Sequence, residues 1–256
     1  SIQSKTMKAV TVLVLGDLGR SPRMQYHCLS LAKQGFLVNF VGLSGQPCRD
    51  EVIHNNSIKI RTIPTAPQLP LPALLYLFFK TCYLLIGLLY VLLLQVEKMD
   101  YLLVQTPPAV PTLFVAHAVC WLRGCKLVID WHNLGYTLIA LTRKSTSITA
   151  IYKWMELNSG RGAFHNFCVS SSMQQFLAKR GIRATVLYDK PPQFFKPSSR
   201  EEQQRIFSQL EPELKDYAIL KASENSISEV LTQRKNVMIG VSSTSWTADE
   251  DFMIVL

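Results

Sequence analysis

Five short polar clusters stand where an apolar run has just ended, and they hold most of the chemistry this chain can offer. The first is Gly16-Asp17-Leu18-Gly19-Arg20-Ser21-Pro22-Arg23, after the β-branched run of residues 10–15. Gly16 and Gly19 permit a tight turn and a close backbone approach by a ligand. Ser21 suits an N-cap and Pro22 the first helical position, so a helix should begin there and end at Gly35. Backbone amides at that start, joined by Arg20 and Arg23, suit a phosphate or diphosphate. A plain βα turn with solvated charges has the same spelling. Neither GxxxxGK[ST] nor GxGxxG is present, so this is neither a Walker loop nor a dinucleotide fingerprint.

The cluster best suited to act on a proton is Asp130-Trp131-His132-Asn133. A histidine beside a carboxylate can be oriented and made basic enough to accept a proton from an attacking hydroxyl. Asp130 and His132 share a side if the strand persists through them; otherwise His132 only bonds backbone in a loop. Thr106-Pro107-Pro108, Ser170-Ser171-Ser172 and Tyr188-Asp189-Lys190 complete the set. His27 either faces the ligand or packs. His117, in an apolar helix, reads as a satisfied core residue, and His54 and His165 carry no signal.

Elements of alternating type must position these clusters. Strands are expected at residues 10–15, up to Gly42, 58–63, 101–105, 126–130, 167–170 and 184–188. Helices are expected from Pro22, across 69–94, and at 111–122, 148–159 and 173–180. Such βα alternation specifies an α/β fold, a doubly wound parallel sheet of Rossmann-like type. In open α/β sheets the ligand sits beyond the carboxyl ends of the strands, where all five clusters fall.

Composition narrows the partners. Nearly half of the 256 residues are hydrophobic, enough for a full core. Residues 1–199 carry a net +13 and residues 200–256 a net −4, which sets a seam near Ser199. The basic part favours phosphates or acidic lipid head groups. Aromatic and basic residues do not interleave as on a base-stacking surface, so no nucleic-acid partner is expected. Six cysteines without a CxxC pair read as reduced, buried thiols.

Residues 69–94, LPLPALLYLFFKTCYLLIGLLYVLLL, approach the length of a membrane span. Pro70, Pro72 and Lys80 count against a clean one. The segment can be a buried helix, an interfacial helix with Lys80 snorkelling and Tyr76, Tyr83 and Tyr90 near head-group level, or a span.

GDLGRSPRMQYHCLSLAKQGF, QTPPAVPTL, KLVIDWHNLGY, LYDKPPQFF and VSSTSWTADEDF, in this order from Gly16 to Phe252, together resemble the chitobiosyldiphosphodolichol β-mannosyltransferase family. The resemblance implies the two-domain GT-B glycosyltransferase fold. It also implies GDP-mannose as donor, a dolichol-diphosphate-linked chitobiose as acceptor, and inverting β-1,4 transfer of the first mannose of the N-glycan precursor. The implied location is the cytosolic face of the endoplasmic reticulum membrane, beside other enzymes of the dolichol pathway. His132 or Asp17 can then supply the base, with Asp130 assisting. Gly16, Gly19, Arg20, Ser21 and Arg23 take the diphosphate, and His27, Asn133, Thr106, Ser170, Asp189 and Lys190 line the rim. Residues 69–94 lie where a lipid-bound acceptor would arrive.

The chain departs from that pattern in its second half. The Glu-x7-Glu element of many GT-B donor domains is missing from the sequence. Residues 1–197 are expected to form the acceptor-binding domain and 198–235 an acidic, partly disordered connector. Residues 236–256 would supply the first strand and helix start of a donor domain, with Ser243, Thr244, Ser245 and Trp246 as its loop. Asp249-Glu250-Asp251 spells DxD, but in a first helical turn it suits the macrodipole, and neither metal nor cofactor is expected. These 256 residues alone are expected to transfer little or nothing. Two other readings stay open: a non-catalytic membrane-associated module holding a lipid diphosphate or a partner, and a GT-B transferase for another polyprenyl-linked acceptor.

Overall fold

The computed structural model describes residues 7–142, 146–191 and 195–214. The chain divides into two units, Ser1–Asp189 and Lys190–Leu256. In the first, seven strands form one parallel sheet: β1 (Ala9–Asp17), β2 (Leu37–Leu43), β3 (Ile58–Ile63), β4 (Tyr101–Thr106), β5 (Lys126–Trp131), β6 (His165–Cys168) and β7 (Thr185–Val186). Their spatial order is β3-β2-β1-β4-β5-β6-β7. The order reverses between β1 and β4, which makes the carboxyl ends of these strands the switch point of the sheet.

Both faces of the sheet are covered, which is why its strands read as continuous apolar runs. On one face Val10, Val12, Val14, Phe40 and Leu103 pack with Met24 and Cys28 of α1 (Pro22–Lys33) and Val52 of the short α2 (Asp50–Ile53). The alternate residues Leu13, Val41, Leu102, Val104, Ile129 and Trp131 face the other layer. That layer holds α3 (Ala73–Tyr90), α4 (Thr112–Arg123), α6 (Thr146–Arg161) and α7 (Ser171–Ala178), with the short α5 (Gly135–Thr142) beside α6.

α3 buries one side on the sheet through Leu88, with Val91 and Leu92 in the π-helical turn Val91–Gln95 that follows. Its opposite side is exposed at Phe78, Ile86 and Tyr90. The helix is therefore a crossover between β3 and β4 that keeps an uncovered apolar stripe, and the buried and interfacial readings each describe one side of it. Arg123 at the end of α4 collects one carbonyl of the π turn and two of the residues just after it. Its Nη1 donates to Leu92 and Val96 and its Nη2 to Glu97.

Some boundaries meet expectation and others differ. α1 begins at Pro22 and Gly35 closes it with φ +82°. β6 ends two residues before Ser170, because Ser170 caps α7 by accepting a hydrogen bond from the Met173 amide at 3.2 Å. α2 and α5 had no clear signal in the sequence. In the second unit, Ser199 and Glu202 form a reciprocal capping box (2.8 and 3.2 Å) that starts helix α8 (Arg200–Leu214). The loose connector expected from composition is thus helical over these residues. The remainder of that connector, the donor-domain start at 236–256 and its loop Ser243 to Trp246 lie outside the described residues.

Candidate functional site

The rim chemistry is set by the parity of β5. Val128 and Asp130 point to the face that carries α1, while Ile129 and Trp131 point to the other. Asp130 therefore meets α1, where Arg23 and His27 are one turn apart and share a side. Arg23 donates from Nε (2.7 Å) and Nη2 (2.9 Å) to the two oxygens of Asp130, a bidentate pair. His27 Nε2 lies 3.1 Å from Asp130 Oδ2. The third guanidinium nitrogen, Nη1, reaches Asp189 Oδ1 at 2.7 Å, and Asp189 Oδ2 stands 3.6 Å from His132 Nε2. One chain of polar contacts runs His27–Asp130–Arg23–Asp189–His132, from a fully buried carboxylate to a part-exposed imidazole.

Burial pushes the Asp130 carboxyl up, but the hydrogen bonds and positive charge of His27 and Arg23 outweigh it. Its pKa lies below the ordinary carboxylate value, so the group is ionised. Asp130 is thus an anchor for two α1 side chains and not a proton acceptor at the rim. Its expected pairing with His132 is corrected: β5 stops at Trp131, and the chain then turns so that the His132 amide donates to Thr106 O at 3.1 Å. His132 pairs with Asp189 instead.

Arg23 is likewise not an open anion ligand, because all three guanidinium nitrogens are taken by carboxylates and its side chain is 8% exposed. Arg20, 75% exposed, is the rim cation of the first loop. Asp17 holds that loop shut. Its carboxylate accepts from the Gln46 amide (3.0 and 3.1 Å) and from Gly19 (2.9 Å). The Gln46 amide, ahead of those of Gly19 and Arg20 and against slight desolvation, keeps its pKa low. A low pKa and spent lone pairs make Asp17 a loop latch and a poor base. Ser21 occupies the N-cap position, but its hydroxyl turns back and donates to Asp17 O at 2.8 Å, so it does not cap the helix. Gly19 is required by space: a Cβ there would strike the backbone of Gln46 and Pro47. Gly16 is half-buried and has room for a Cβ.

The other rim residues divide. Thr106 is fully buried, its carbonyl holds the His132 and Asn133 amides, and its Oγ1 finds no partner among the described residues. Asn133 is exposed, Ser170 is a helix cap, and Lys190 is exposed and begins the second unit. His117 is the satisfied residue expected, with its Nε2 2.9 Å from Ser159 O. All six cysteines are free thiols.

Two contributors escaped the sequence reading. Gln25 donates to Leu18 O and Gly19 O (both 3.0 Å) and accepts from the Arg49 amide (2.8 Å), tying the first loop to the segment before α2. Glu156 on α6 accepts from the Gly135 (2.8 Å) and Tyr136 (3.0 Å) amides and so starts α5 just beyond the DWHN turn. Burial pushes the Glu156 carboxyl up despite those two amides. For Arg23 and His27 a signal existed: an i,i+4 pair on an otherwise core-facing helix, and one acid inside an apolar strand.

No family model matches the chain. Solved structures share its fold, among them two with TM-scores above 0.5. A sucrose-phosphate synthase from Thermosynechococcus elongatus superposes with a TM-score of 0.53 at 14% identity, covering 78% of this chain and 52% of that one. LpCGTa in complex with UDP gives 0.51 at 11%, covering 84% and 68%. The architecture is that of one half of a GT-B glycosyltransferase. Among curated proteins, the UDP-glycosyltransferase TURAN of Arabidopsis thaliana is 40% identical over 96% of this chain and 58% of its own length. The chitobiosyldiphosphodolichol beta-mannosyltransferase of Homo sapiens is 36% identical over 99% and 58%, and that of Yarrowia lipolytica 38% over 97% and 52%. The chain spans a little over half the length of these relatives. Across nearly all of its residues, then, it is a relative of the chitobiosyldiphosphodolichol beta-mannosyltransferases.

Proposed function

We propose that these residues form the acceptor-side half of an inverting mannosyltransferase. It moves mannose from GDP-mannose to a dolichol-diphosphate-linked chitobiose, making a β-1,4 linkage at the cytosolic face of the endoplasmic reticulum membrane. The observation that carries the reading is the imidazole of His132, part-exposed at the carboxyl end of β5 beside the switch point and paired with Asp189. In this mechanism His132 takes the proton of the acceptor hydroxyl as its oxygen attacks the sugar's anomeric carbon. The bond from that carbon to the leaving diphosphate breaks, and GDP departs with the electron pair. Asp189 steadies the imidazolium, and Arg23 fixes Asp189 from behind. Arg20 and the start of α1 sit where the acceptor diphosphate would rest, with the latched Asp17 loop shaping that corner. Asp130 and His27 hold α1 against β5.

Transfer is assigned to a protein as long as the relatives, and residues 1–256 alone are expected to transfer little or none. The membrane contact is assigned to α3, and other enzymes of the dolichol pathway are the expected neighbours. The test measures transfer of labelled mannose to a phytanyl-diphosphate chitobiose, comparing residues 1–256 with a protein extended to the relatives' length. GDP-mannose and UDP-sugars are offered in parallel. Turnover with GDP-mannose in the extended protein, lost in His132→Ala, is the expected result. Turnover only with a UDP-sugar would overturn the donor, and full turnover in His132→Ala would overturn the base.

A further inference from the structure

The helical layer that carries α3 has an outer side the fold leaves bare. α3 and the π turn expose Phe78, Ile86 and Leu94; α4 exposes Trp121; α6 exposes Ile151 and Trp154. Trp121 is 82% exposed and Trp154 66%. α4 packs against both α3 and α6, so the three stripes belong to adjacent helices. The exposed residues lie away from the core side of each helix, where Leu88, Val119 and Glu156 are buried. Scattered apolar residues are ordinary on a protein surface, whereas three neighbouring helices with aromatic tips outward are not.

Charge on the same helices points to the occupant. From α3 through α6 the only acidic residue within a helix is Glu156, and it is buried and bonded to the start of α5. With Arg123 held by the carbonyls of Leu92, Val96 and Glu97, the remaining basic residues of these helices are Lys80, Lys153 and Arg161, and the sequence adds Arg143 and Lys144 between α5 and α6. Apolar helices with indole rings and cations and no exposed carboxylate of their own complement a bilayer of anionic lipids, where Trp sits at head-group depth and Lys and Arg meet phosphate; the nearest exposed acid, Glu97 just past the π turn, stands 3.6 Å from Lys59.

We propose that the outer side of α3, α4 and α6 is a lipid-docking face that lays this domain against an anionic bilayer. This widens the membrane contact assigned above to α3 alone and holds whether or not the transferase reading does.

Vesicle flotation of the 256-residue chain tests it without any assay of transfer. Phosphatidylcholine vesicles are compared with vesicles containing about 30 mol% phosphatidylserine. Trp121→Ser/Trp154→Ser is the face variant and Lys80→Glu the charge variant, each checked for the parent's thermal transition. The expected result is flotation with the anionic vesicles, about a tenfold weaker partition for the double variant, and weakening by Lys80→Glu and by salt. Equal flotation of parent and double variant would overturn the proposal, as would no flotation of either. So would a parent dimer that the double variant separates, in the absence of vesicle binding, which would give the face to a second copy of the chain.

Discussion

Replacing Arg23 by Met should unfold this domain more readily than any exposed substitution, and the pH dependence of the loss should identify the cause. Arg23 makes two of the three side-chain bonds to Asp130, at 2.7 and 2.9 Å, and Asp130 is fully buried. Removing the guanidinium leaves a buried carboxylate with His27 alone, and losing one partner of such a pair costs about 3–5 kcal/mol. The third bond reaches Asp189, whose side chain is 56% exposed, and adds at most a few tenths of a kcal/mol after screening. Against a total of about 5–15 kcal/mol the loss is large. With a urea slope of about 2.5 kcal/mol/M, the midpoint should fall by roughly 1.5 M at pH 7.

The sign with pH follows from Asp130. In the parent its folded pKa is depressed, so its contribution is complete above the unfolded value of about 3.9 and disappears as pH falls through the folded one. In Arg23→Met burial goes largely uncompensated, the folded pKa rises above the unfolded value, and protonation relieves the penalty. The gap between parent and variant should therefore narrow from pH 7 towards pH 4.5. Arg23→Met/Asp130→Asn should cost less than the two single changes added, because it leaves no stranded charge. A loss under about 1 kcal/mol at pH 7, or strict additivity in the double variant, would refute the buried-pair reasoning.

Three further outcomes are expected. Glu156→Gln keeps one amide acceptor and removes a carboxylate whose pKa burial raises, so it should change stability by under about 1 kcal/mol near neutral pH. Glu156→Ala strands the Gly135 and Tyr136 amides and should cost about 2 kcal/mol, both read by urea unfolding. Gly19→Ala forces the first loop off Gln46 and Pro47 and should cost about 1–3 kcal/mol, with new amide shifts at residues 17–21 in nuclear magnetic resonance. In the extended protein, His132→Ala should lower kcat by about 10²–10⁴, whereas His27→Ala should act mainly on stability. A larger kcat loss at His27 would move the base to the buried end of the chain of polar contacts.

The strands and their parallel, doubly wound arrangement were legible because apolar runs and turn residues are local signals, and β3 matches the expected 58–63. Partners were harder to read than positions. Asp130 and His132 look paired on paper, yet alternation holds only while the strand lasts, and β5 ends between them. Which helix covers which face is a property of the whole sheet, so the meeting of Arg23 and His27 with Asp130, more than 100 residues away, left only the hint of an i,i+4 pair. Ser21 and Ser170 are equally good caps by type, but only Ser170 acts as one, because the carbonyl of Asp17 captures the Ser21 hydroxyl. α5 stayed hidden because its first amides are satisfied by Glu156, 20 and 21 residues downstream.

The Arg123 guanidinium on the carbonyls of Leu92, Val96 and Glu97 has a consequence for how the chain folds. It joins residues 26–31 positions apart, so the segment from Val91 through β4 and α4 closes on itself with modest loop entropy. That segment includes the central strand on one side of the switch point. A βα unit able to close before distant strands arrive is a natural early nucleus, and β1 and β5 can then add to its two edges. The cation that fastens the ends of two helices in the finished domain would thus also set the order in which its sheet is assembled.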